Sequence, residues 1–234
     1  MNNLDPSEFA EPGLYLVTPG GERIVLTRRL IEERTRALLD DPATLPPAVR
    51  AAVDYQPCDI CPERETAEIC HAILTTLPFF DDIDHYMSYD RVTAIFRDGE
   101  NDTLLIRETS MQEALQYVSI LSLMHYCEVG RKYYAFFAGV NPLMPQIQIA
   151  TAVFRNMYLA CEGDLNILAE TLQTMQEELL QTSKCQIKRL QLISNGDAFL
   201  NAFVATESTT ELMLMEVRDR LMGLTGATAL SKDI

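Results

Sequence analysis

Residues 92–121 read VTAIFRDGENDTLLIRETSMQEALQYVSIL. Val92–Arg97 and Thr103–Ile106 are rich in β-branched and large apolar residues, and Asp98-Gly99-Glu100-Asn101 between them is turn chemistry. The pattern predicts a hairpin. Thr109 and Ser110 then stand as alternative N-caps, with Gln112 and Glu113 three residues on in capping-box positions. Met111, Ala114, Leu115, Val118 and Leu121 repeat at helical spacing, and Gly130 stands where such a helix would stop. A hairpin running directly into a capped helix points to an α+β chain rather than to alternating βαβ units.

The same logic extends outward. GLYLVTP and ERIVL flank Gly20-Gly21, which predicts a first hairpin. A short helix is expected at 30–39, and Asp40-Asp41-Pro42 and Pro46-Pro47 then break the chain into an irregular connection up to Cys58. Tyr133–Val140 is apolar and aromatic, and its period does not decide between helix and buried strand. From Ile149 onward the chain reads as helical. Leu165, Leu168, Leu172, Met175 and Leu179 step by threes and fours. A further helix is expected from about Lys184, broken at Asn195-Gly196-Asp197. Ser208 and Glu211 form a capping box for a last helix ending near Gly223. The expected architecture is two β-hairpins forming a small antiparallel sheet packed on a predominantly helical body. It divides into an N-terminal hairpin, short helix and linker (1–57), a cysteine-bearing core with the second hairpin (58–162), a helical C-terminal part of the same domain (163–223) and a tail (224–234).

With 34 Asp+Glu against 19 Lys+Arg, the formal charge is −15. Such a surface repels phosphate backbones and anionic lipid, so nucleic acid is not an expected partner. No apolar run approaches the length of a membrane helix, and the first residues lack the basic start and apolar core of a secretory signal. The expectation is a cytoplasmic protein whose six cysteines are thiols or metal ligands rather than disulfides. Partners are then another protein or a second copy of the chain, with no membrane insertion.

The stretch richest in chemistry is CDICPERETAEIC, residues 58–70. Cys58 and Cys61 form a C-x2-C pair, whose turn lets two thiolates converge on one tetrahedral ion. Cys70 follows, and Cys127, His71, His125, Cys161 and Cys185 are candidates for a fourth ligand. Geometry imposes a condition. If one helix ran unbroken from Pro62, Cys61 and Cys70 would lie about 13 Å apart along its axis and could not share an ion. A metal site therefore requires residues 62–68 to loop back, with regular helix starting near Ile69.

Four features occur together: Cys58-x2-Cys61-Pro62 with Cys70, Ser88-Tyr89-Asp90 before a strand, TSMQEALQ, and Cys127. Together, over roughly residues 12–170, they resemble an uncharacterised bacterial domain family. Its pattern is CxxCP, a cysteine about ten residues later, an S-Y-D/E strand entry, a T-x-x-Q-x-A-L helix and a Gly-Cys-Pro. The resemblance implies that Cys58, Cys61, Cys70 and Cys127 act as a set. The chain departs from the pattern at His71 and Glu128, where the family carries proline. A set of thiolates suits zinc, and an iron–sulfur cluster has the same donor preference.

FFDDIDHYMSYD gathers Asp81, Asp82, Asp84, His85 and Asp90. This density could hold a hard cation or perform acid–base work, but with no nucleophile or second cluster beside it a solvated connection is the simpler reading. No phosphate-binding glycine motif occurs. The sequence thus favours a non-catalytic interaction or regulatory domain stabilised by a cysteine-ligated metal. A thiol- or metal-based redox sensor and an enzyme with an acidic and histidine site near Asp81–Asp90 and His125 are the alternatives.

Overall fold

A computed structural model describes residues 6–40, 45–54, 58–66, 69–99, 103–141, 143–193 and 197–230. Strands β1 (Gly13–Val17), β2 (Arg23–Thr27), β3 (Arg91–Asp98) and β4 (Thr103–Ser110) form one antiparallel sheet in the order β2-β1-β3-β4. Both expected hairpins are present, and β1 joins them by pairing Leu14 with Phe96 and Leu16 with Ala94. The first turn closes with the Gly21 N–H on the Thr18 carbonyl (2.9 Å), and Gly21 adopts φ +83°, which glycine takes at no steric cost.

Alternation along the strands divides the sheet into two faces. Leu14, Leu16, Ile24, Leu26, Val92 and Ala94 are buried against the helical body. On the other face Tyr15 and Ile95 are buried by Phe9, whose ring meets Tyr15 edge-on at 5.1 Å. Phe9 ends a 3-10 turn, Pro6–Phe9.

The helices are α1 (Arg28–Asp40), α2 (Pro47–Asp54), α3 (His71–Leu74), α4 (Phe80–Ile83), α5 (Met111–Leu121), α6 (Glu128–Arg131), α7 (Gln146–Ala160), α8 (Leu165–Leu190) and α9 (Ala198–Leu230). Ser110 caps α5, its hydroxyl accepting the Glu113 N–H at 3.3 Å, while the Thr109 hydroxyl engages the Glu113 carboxylate. Two hydrophobic clusters result. One lies between the sheet, α5 and the start of α9; the other lies among α7, α8 and the later part of α9. Among the described residues no helix is long and apolar enough to cross a membrane.

Several local expectations are corrected. Pro47 opens α2 instead of prolonging the irregular connection, because a proline at the first helical position gives up no intrahelical bond. Tyr133–Val140 contains neither an α-helix nor a strand but a 3-10 turn, Tyr134–Phe137. Lys184 lies inside α8, which runs unbroken because no glycine or proline interrupts it before Leu190. The Ser208–Glu211 box lies within α9, and that helix passes Gly223 to Leu230, into the expected tail. The expected break at Asn195-Gly196 lies outside the described residues.

Gly130 does not stop the long helix. Past Leu121 the chain takes a π-helical turn, Ser122–Tyr126, and Gly130 sits inside α6. A Cβ on Gly130 would stand 1.9 Å from the Leu123 carbonyl oxygen, a backbone atom that cannot swing aside. Gly130→Ala is therefore expected to destabilise the protein by roughly 2–3 kcal/mol, read from urea midpoints at constant slope. A change near zero would show that the π turn and α6 do not need this approach.

Candidate metal centre

Over the described residues the backbone agrees with the condition for a shared site. Residues 62–66 form turns rather than helix, and α3 begins at His71 with Cys70 as its N-cap. Residues 67–68 lie outside the described residues. The Cys61 N–H donates to the Cys58 carbonyl at 2.9 Å, closing a tight turn that brings the C-x2-C pair onto one side. Cys127 ends the π turn, its N–H donating to the Ser122 carbonyl at 3.0 Å, and serves as the N-cap position of α6. The buried Ser122 hydroxyl donates to the Ala72 carbonyl at 2.5 Å, which fixes the end of α5 against α3.

As a result Cys58, Cys61, Cys70 and Cys127 line one cavity of about 60 Å³. Among the described residues, no three His, Cys, Asp or Glu side chains are disposed about one point as ligands to an ion. His71 borders the same cavity. His125 does not; its ring lies against Tyr134, 4.6 Å between centroids. Cys161 is buried in the second hydrophobic cluster.

The back wall comes from α8. Its apolar stripe Leu168, Leu172, Met175, Leu179 continues in unbroken register into Thr182, Gln186 and Arg189, and all seven are buried. Thr182, Gln186 and Arg189 border the thiols. Gln186 Nε2 lies 3.5 Å from Cys70 Sγ and donates to it, while Gln186 Oε1 is buried with no hydrogen-bond partner among the described residues. The signal was present in the sequence. Three polar residues occupy the inward positions of a heptad stripe, and polar groups are carried to the interior only where something there bonds them.

Cys185, one turn along the same helix, approaches Cys58 from α8. The Cys58 thiol is pushed up, first by its hydrogen bond to Cys185 and then by burial. Cys185 is drawn down, first by accepting that bond, with the Arg189 and Lys188 charges acting the same way. Burial pushes Cys127 up to about 11, against the pull of the Gly130 and Val129 N–H groups. Cys185 thus stands beside the expected set of cysteines.

Among the described residues the acidic stretch does not assemble a second centre. Asp82 pairs with Arg34 at 2.5 Å, and Asp90 accepts the Met87 N–H at 2.8 Å, closing the turn before β3. Ser88 donates its N–H and hydroxyl to Asp197, at 2.6 and 3.0 Å. His85 packs on Tyr86. The side chain of Asp81 lies outside the described residues.

A small antiparallel sheet on a helical body, with thiols and buried polar side chains around one cavity, defines an α+β domain with a candidate metal centre. The chain belongs to the family described as Domain of unknown function (DUF6901), whose model matches residues 23–227. The match starts at β2 and runs through α8 into α9, well past residue 170, where the resemblance seen in the sequence ends. No curated protein and no solved structure matches the chain.

The six cysteines are all free, with Cys58, Cys127 and Cys161 buried and Cys61, Cys70 and Cys185 partly exposed. In chelator-treated protein at pH 8, a disulfide reagent followed by peptide mapping is expected to label the latter three first. The buried three should react only as urea unfolds the chain. Equal labelling of all six in the native state would contradict the arrangement.

Proposed function

We propose that this domain is a non-catalytic interaction or regulatory module of the cytoplasm, stabilised by a structural metal ion held by Cys58, Cys61, Cys70 and Cys127. The observation that carries the reading is the convergence of these four cysteines, from three separate elements, on one cavity. The donor chemistry fits zinc. Four thiolates around a divalent ion carry a net charge of about −2, and Arg189, buried completely, brings a cation to that wall. Gln186 adds an amide donor already directed at Cys70. The room between the side chains suits a single ion better than an iron–sulfur cluster.

Four protein ligands leave no open coordination position, so bound zinc would supply cross-links rather than Lewis-acid chemistry. It would tie the 58–70 loop to the end of α5, which adds to folding stability because the unfolded chain has no preformed site. The interaction reading is supported by the acidic surface and by Leu212, Met215 and Met222 of α9, which are exposed. Its partner is another protein or a second copy.

Elemental analysis with a visible spectrum tests the centre: about one zinc per chain and no colour is expected. Cys58→Ser and Cys127→Ser should each lose the metal and melt several degrees lower. Native protein free of metal, with both variants as stable as the parent, would overturn it. A monomer in light scattering with no partner recovered would count against the interaction reading.

A second reading, a thiol-based sensor, is favoured by one observation, the contact between Cys58 and Cys185. It predicts that peroxide joins these two cysteines and changes the oligomeric state.

A further inference from the structure

A second cavity, of about 200 Å³, opens between β4, α5, α8 and the residues Phe137, Val140 and Leu143, at the seam between the two hydrophobic clusters. It shares no lining residue with the thiol cavity. Its walls are mixed: Leu123, Met124, Leu179 and Val140 give an apolar side, and Thr109, Gln116, Ser183 and Thr206 add polar groups.

Two of the polar groups lie beside the apolar side of the cavity. Ser183 is only 2% exposed, and Gln116 is half-buried; among the described residues neither the hydroxyl nor the carboxamide has a hydrogen-bond partner. The neighbouring hydroxyls are satisfied, since Thr206 bonds Ser119 at 2.5 Å and the Ala202 carbonyl at 2.8 Å. Ser183 and Gln116 thus offer a hydroxyl and a carboxamide to a ligand group in this cavity. At the mouth stands Arg107, its guanidinium donating to the Leu143 carbonyl at 3.4 Å. Glu113, also at the mouth, is engaged by the Thr109 hydroxyl. A concave space in which apolar side chains stand beside a few placed polar groups is the usual form of a small-molecule site.

We propose that this cavity binds a small amphipathic carboxylate. Its aliphatic chain lies between α5 and α8, a hydroxyl or amide on that chain bonds Ser183 and Gln116, and its carboxylate meets Arg107 at the mouth. The limited volume excludes long-chain lipid, and the guanidinium selects an anion over a neutral alcohol.

Titration calorimetry of the full chain with 3-hydroxyoctanoate, octanoate and octan-1-ol tests the proposal. One site per chain is expected, with the hydroxy acid the tightest and the alcohol the weakest. Arg107→Gln should weaken both acids about tenfold and leave the alcohol unchanged. Ser183→Ala should remove the preference for the hydroxy acid. Val140→Trp, which fills the cavity from its exposed side, should abolish binding while the circular dichroism stays that of the parent. No saturable binding of either acid, or binding that survives all three substitutions, overturns the proposal. Cys58→Ser protein that has lost its metal but remains folded should still bind, which separates this site from the thiol centre.

Discussion

The structure depends most on how α5 ends. A regular α-helix continued past Leu121 would carry Cys127 round to a different face. The π turn Ser122–Tyr126 accommodates one more residue, and its Ser122 hydroxyl is bonded inside the core to the Ala72 carbonyl. Gly130 then lets α6 lie on the Leu123 carbonyl. These two contacts bring Cys127 to the cavity that Cys58, Cys61 and Cys70 line from the other side. π turns inside helices often accompany functional positions, because the extra residue redirects a side chain at some cost in helix geometry.

Around this point the two hydrophobic clusters have different jobs. The first places the sheet and α5, and so places the π turn. The second holds α8 along its length, and so determines which of its residues reach the thiols. Arg189 is instructive. A guanidinium is rarely buried completely, and here its charge favours ionisation of both Cys58 and Cys185. The burial of a cation next to thiols, and of an amide oxygen without a partner among the described residues, gives the cavity a polarity that the apolar core around it lacks.

Features encoded by neighbouring residues were legible. Gly20-Gly21 and Asp98-Gly99 mark the two hairpin turns, and Ser110 with Glu113 marks the start of α5. The requirement that 62–68 not be helical followed from helix rise alone, and the residues described there form turns. Features set by distant contacts were not legible. Gly130 resembles a helix stop until Leu123 is seen beneath it, and Ser208 resembles a cap although α9 packs straight through it. Cys185 stood only as one of five candidates for a fourth ligand, because a single cysteine on a helix carries no directional information. The heptad register of Thr182, Gln186 and Arg189 did carry it, and reading polar residues in an apolar stripe as part of that stripe would have found the wall of the site.

Helix α9 has a consequence for the order of assembly. Ala198, Phe199, Ala202 and Phe203 complete the first cluster, while Val217 and Leu221 complete the second. The first cluster is otherwise built mainly of residues before Leu121, so it stays open during synthesis until α9 has left the ribosome. Folding of the sheet half is therefore tied to contacts of long sequence separation, which slows it and leaves apolar surface exposed in the meantime. Once α9 docks, both clusters close on the same rod. Neither half then loosens without stripping apolar surface from the other, so the domain opens as a single cooperative unit.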